Sequence, residues 1–204
     1  MRFILQTGPN GAHPCRPSVR RAAAAVAVVA VLGALPISAE PVRFDPETGA
    51  ATYETQAHGV SVSLTQLLPD QVRAFYVARG FDLADADVFA DACVYMTVLR
   101  NDTAPGEIDF RLSDWEAQHN DEVRPLPPLE DWLAQWTARG VPDSARLAFR
   151  WAQFPSEQSY APGEWNQGML ATGLPSGSRF DLIARWTIAD QTYEGRLDDV
   201  LCTE

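Results

Sequence analysis

The sequence predicts a mainly β protein: an antiparallel, immunoglobulin-like β-sandwich of about seven strands with short helical insertions. Three observations carry that expectation. Phe180, Leu182, Ala184, Trp186 and Ile188 alternate with Asp181, Arg185 and Thr187, the period of a half-buried strand. Similar short runs recur between turn residues, without the strand–helix–strand rhythm of a parallel sheet. Cys93 and Cys202 stand far apart, behind a leader of the export type, and so suit one staple across an exported domain.

Residues 1–39 read as that leader. Arg16, Arg20 and Arg21 precede an apolar run from Ala22 to Leu35, and Ser38-Ala39 supplies small residues for cleavage. The run contains Gly33 and falls short of the roughly 20 apolar residues a spanning helix needs. The Arg20-Arg21 pair also resembles a twin-arginine signal, although Ser18 stands one place too early for it. Cleavage after Ala39 leaves residues 40–204 as one domain with no transmembrane segment.

Along that domain, Glu40 to Glu54 reads as an extended lead-in, with Pro41, Pro46 and Gly49. Val60, Val62 and Leu64 alternate with serines as the first strand. Pro69 and Asp70 open a helix that Gly80 ends, with Val72, Phe75 and Tyr76 on its apolar face. A second short helix spans about residues 84–92, so the first insertion covers 69–92. Val94, Met96 and Val98 form a central strand, and Ile108, Phe110 and Leu112 its hairpin partner after the turn at Asn101-Asp102 and Pro105-Gly106. Ala117 to Pro128 reads as a polar surface loop. Leu129, Trp132, Leu133 and Trp136 have helical spacing and make a second insertion at 128–139. Leu147, Phe149 and Trp151 oppose Arg146 and Arg150 as a further strand, and Tyr193, Gly195 and Leu197 return antiparallel to Phe180–Ile188.

Charge narrows the function classes. The leader holds four of the 16 basic residues and none of the 27 acidic ones, so its removal takes the net charge from −11 to −15. Such a field repels phosphate backbones and anionic membranes, and nucleic acid is excluded as a partner. Nucleophilic hydrolysis finds no Gly-x-Ser-x-Gly elbow and only two histidines after the leader, His58 and His119. Asp82, Asp85, Asp87 and Asp91 lack the spacing of a calcium loop, and helix capping accounts for Asp82 and Asp85. A copper site from His58, His119, Met96 and Met169 is the metal alternative; otherwise no cofactor is implied.

The candidate binding site is the turn from Tyr160 to Gln167. Pro162-Gly163 forces the turn, and Trp165 follows among Glu164, Asn166 and Gln167. An aromatic plane beside polar groups can stack on a ligand while they orient it. The sequence therefore predicts a periplasmic or secreted, non-catalytic envelope protein that binds a partner protein or a small ligand. An exported copper carrier or a small carboxylate-dependent enzyme is the alternative.

Overall fold

Alternation along residues 51–66 builds the first hairpin. The computed structural model describes residues 43–203, so the expected leader lies outside the described residues. Strand β1 (Arg43–Phe44) pairs with β2 (Ala51–Ala57), and β2 with β3 (Val60–Gln66), through a turn at His58-Gly59 where both residues have positive φ. Tyr53, Val60, Val62 and Leu64 face inward. A Cβ on Gly59 would lie 2.5 Å from the backbone nitrogen of Ala104, so this turn needs glycine for space as well as for φ.

Helices α1 (Pro69–Val77) and α2 (Leu83–Ala90) follow where the proline and aspartate signals place them. The Asp82 side chain accepts from Asp85 N at 2.7 Å and caps α2. Arg73 bridges the two helices through Asp70, Asp87 and Asp91. The chain then re-enters the sheet as β4 (Val94–Asn101), between β3 and β9 (Trp165–Ala171).

Beyond β4 the chain does not fold back as the expected hairpin. Strand β5 (Ile108–Arg111) crosses to a second sheet, because Ile108 and Phe110 are buried there with Tyr160 of β8 (Glu157–Tyr160). That sheet also holds β6 (Glu116–His119), β7 (Glu122–Pro125), β10 (Arg179–Ile188) and β11 (Gln191–Leu201). The first sheet runs β1-β2-β3-β4-β9 and the second β7-β6-β10-β5-β8, with β11 beside β10; pairing within both is antiparallel. Their inner faces share one core containing Tyr95, Leu99, Trp115, Leu182, Trp186 and Val200.

Three further segments differ from the sequence expectation. The 40–54 lead-in carries β1 and the first half of β2, ahead of the strand expected first, because Ala51 and Tyr53 are buried in the core. Residues 117–128 contain the β6–β7 hairpin, turned by Asn120-Asp121 with positive φ at both residues. The 146–151 segment is helix α4 (Asp143–Ala152), following α3 (Leu129–Ala138). Its buried residues are Ala145 and Phe149, an i, i+4 pair, whereas Leu147 and Trp151 point to solvent. The expected seven strands and three helices thus become eleven strands and four α-helices among the described residues, and the immunoglobulin-like count does not hold.

The four helices form a third layer on the outer face of β4 and β9. Tyr76, Phe89, Trp136 and Phe149 pack there against Val94, Met169 and Ala171 in a second core. Gly168 lets the chain leave α4 for the sandwich: its missing Cβ would sit 2.3 Å from Phe154 N. No helix of the described residues is long and apolar enough to cross a membrane.

Candidate binding surfaces

The turn at Pro162-Gly163 is held from below. Asn101 is fully buried and its Nδ2 donates to the carbonyls of Gly106 and Tyr160, each at 2.9 Å, while its backbone carbonyl accepts from Gly163 N at 2.6 Å. Glu164 closes the turn by accepting from Ala161 N at 2.8 Å. Both groups are occupied in shaping the loop.

The residues singled out from the sequence do not converge. Tyr160 lies in the sandwich core, stacked on Phe110, and burial pushes its phenol up to about 12. Asn166 reaches Gln158 of β8 at 3.1 Å. Trp165 shares its parity with Gln167 and Met169, on the helix-bearing side of the first sheet, opposite Arg100 in register. Its ring is 50% exposed, with the Arg100 guanidinium 5.7 Å from the ring centroid. Trp165→Ala should therefore cost about 1 kcal/mol in denaturant unfolding, between a free surface ring and a buried one. A loss above about 3 kcal/mol would make the ring a structural lid and remove it as a contact surface.

The metal alternative is also dispersed. His58 packs on Tyr193 with ring centroids 4.3 Å apart. His119 Nδ1 lies 2.7 Å from the Arg179 carbonyl and its Nε2 2.9 Å from Asn120 Nδ2. Met96 and Met169 are register partners in the second core, where the Tyr76 hydroxyl donates to the Met169 sulfur at 3.3 Å. The described residues include no cluster of three or more His, Cys, Asp or Glu positioned to hold a metal.

A larger concavity occupies the outer face of the second sheet. One edge of β10 is shared by two strands: β6 pairs with Asp181–Ile183 and β5 with Thr187–Ile188. Between them the chain bows out in a 3-10 turn, Leu112–Asp114. Trp115 fills the gap from beneath, fully buried, and its Nε1 donates to the Arg185 carbonyl at 2.9 Å, a bond a ladder partner would otherwise supply. Above lies an open groove of about 920 Å³ bordered by β5, β8, β10 and the bowed turn.

Outward parity puts charge in this groove. Arg185 donates to the Asp114 carbonyl and to Glu116, both at 2.9 Å, and lies 3.5 Å from Glu194. The hydrogen bond to Glu116 raises the Arg185 pKa above the ordinary guanidinium value. Arg111 pairs with Glu157 at 3.5 Å. Asp109 accepts from the Ser159 hydroxyl, and the Asp114 carboxylate has Ser113 Oγ, at 3.5 Å, as its one side-chain partner among the described residues. Glu116 and Glu157 each hold a guanidinium through one oxygen, whereas Asp109 and Asp114 have no ion pair within 4 Å among the described residues. The arrangement can hold a polar ligand and leaves negative charge for it to neutralise.

None of these groove residues stood out in the sequence. Asp109 and Arg111 alternate with Ile108 and Phe110, which signals an outward polar face and nothing more. Trp115, isolated in Ser113-Asp114-Trp115-Glu116, was the available clue to a break in the strand. The chain matches no family model, no curated protein and no solved structure with which it was compared.

Proposed function

We propose that the chain is an exported, non-catalytic envelope protein that binds a cationic segment of a partner in the groove of the second sheet. The observation that carries this reading is the pairing pattern inside the groove: its two arginines are each held by a carboxylate, and Asp109 and Asp114 are left over. A ligand with positive charge and hydrogen-bond donors complements that surplus, and the acidic chain as a whole steers it inward. Export and a periplasmic or secreted location rest on residues 1–39, and the Cys93 and Cys202 sulfurs at bonding distance suit an oxidising compartment.

The test is an NMR titration of the isotope-labelled domain with a short arginine-rich peptide and, separately, a neutral oligosaccharide. The peptide should shift amides of residues 109–114, 157–159 and 185–187 in a saturable way. Asp109→Asn with Asp114→Asn should weaken it at least about tenfold while leaving the spectrum folded. Shifts spread over the whole acidic surface, or centred on Trp165, would overturn the assignment.

A further inference from the structure

Helix α4 carries a face that the fold does not use. Asp143, Leu147, Arg150 and Trp151 fall within about 100° of one another around the helix, opposite the buried Ala145 and Phe149. Trp151 is 81% exposed and Leu147 56%, the first being the most exposed large apolar side chain among the described residues. Beside them, between α3 and α4, lies a hollow of about 280 Å³ bordered by Leu133, Thr137, Arg146 and Leu147. An exposed leucine at the edge of an unfilled hollow, with a protruding indole one turn further along the same face, has the composition of a protein contact rather than of a solvated helix.

The order of charges along α4 selects the occupant. Acid stands at its first residue, Asp143, with a side chain 94% exposed; the apolar pair follows, and Arg150 stands near its end with no ion pair among the described residues. Reversing such a helix gives its own complement. We infer that this face binds a second copy of the chain, α4 packing antiparallel on its equivalent about a two-fold axis at Leu147. The two Leu147 side chains then meet at the axis, and Trp151 of each copy lies over the Asp143 end of the other, at the rim of its hollow. Arg150 of each comes within reach of Asp143 of the other, so both charged contacts are attractive. Asp143 is bonded within its own helix to Arg146, and that bond leaves its second oxygen for the incoming guanidinium. A single short helix with one flanking hollow makes a small interface, so the dimer should be weak, with a dissociation constant on the order of 10–100 µM.

Sedimentation equilibrium of the mature chain across that concentration range tests this. A monomer–dimer equilibrium is expected, and Trp151→Ala should weaken it by at least about thirtyfold. Its ring is exposed in the single chain, so the variant should fold, which circular dichroism checks. Arg150→Asp and Asp143→Arg each place like charges together in a homodimer and should each be monomeric, whereas an equimolar mixture of the two should dimerise, because both contacts are then of opposite sign. A wild-type chain that stays monomeric at about 1 mM would overturn the inference. So would a dimer untouched by Trp151→Ala, or a mixture no more associated than its components.

Discussion

Replacing Trp136 with alanine is expected to lower unfolding stability by about 3–5 kcal/mol, the cost of emptying a closed apolar site of a large ring. Trp136 is fully buried at the centre of the helix layer. Its ring centroid lies 5.5 Å from that of Phe81 between α1 and α2, 5.6 Å from Phe149 of α4 and 5.7 Å from Trp132 of its own helix, so three aromatic rings lose their partner at once. The indole nitrogen has no hydrogen-bond partner among the described residues, which makes the ring's contribution one of packing alone. Trp136→Phe, which keeps most of the packing and removes that unpaired donor, should therefore lose far less than Trp136→Ala. Trp132 is only partly buried at the edge of the same cluster, and its alanine variant should fall between the two. Denaturant unfolding followed by circular dichroism reads all three. A loss under about 1 kcal/mol for Trp136→Ala would show that the helices are held to the sheet by something other than this ring.

The helix-layer anchor was readable in the sequence because Leu129, Trp132, Leu133 and Trp136 repeat at helical spacing and their context is polar. The β10–β11 hairpin was readable for the corresponding reason: one face apolar, the other charged, and a turn of Ala189-Asp190 between. Helix α4 was not. Leu147, Phe149 and Trp151 alternate like a strand, and the true core pair, Ala145 and Phe149, is masked because alanine carries little apolar signal. What the alternation hid was that two of its three large apolar residues are not core at all. The β6–β7 hairpin escaped for the opposite reason: β7 is exposed along its whole length, and a polar edge strand resembles a loop.

The groove escaped for a deeper reason. Its charged residues come from segments around 109–116, 157–159 and 185–187, each of which reads locally as an ordinary solvated face. Only the splitting of one β10 edge between two strands brings them around a common space. Trp165 shows the converse. The turn that presents it was legible, yet the residues beside it in sequence are drawn by strand alternation and by Asn101 to other tasks, so proximity along the chain did not become a site.

Reduction of the Cys93–Cys202 pair should be the other large effect. The two sulfurs are 1.99 Å apart, both residues are buried, and the link joins the start of β4 in one sheet to the end of β11 in the other. With its ends 109 positions apart in sequence, it restricts an unfolded chain severely: the chain-entropy estimate for a loop of that size is roughly 4–5 kcal/mol. The measured loss should lie below that ceiling, because the same end of the sandwich is tied by other bonds. The Leu201 carbonyl accepts from Tyr95 at 2.8 Å and from Gln66 at 2.5 Å, and its backbone nitrogen donates to the Tyr53 hydroxyl at 3.2 Å. These bonds keep β11 in register when the link is cut, so a Cys93→Ala, Cys202→Ala double variant should still fold at room temperature and lose about 2–4 kcal/mol. Thiol titration of residues 40–204, unfolded and unreduced, should find no free thiol, and titration after reduction two. Two reactive thiols before reduction would show that the cysteines are not joined in the isolated protein. A double variant as stable as the wild type would mean that the Leu201 bonds alone hold the two sheets together at this end.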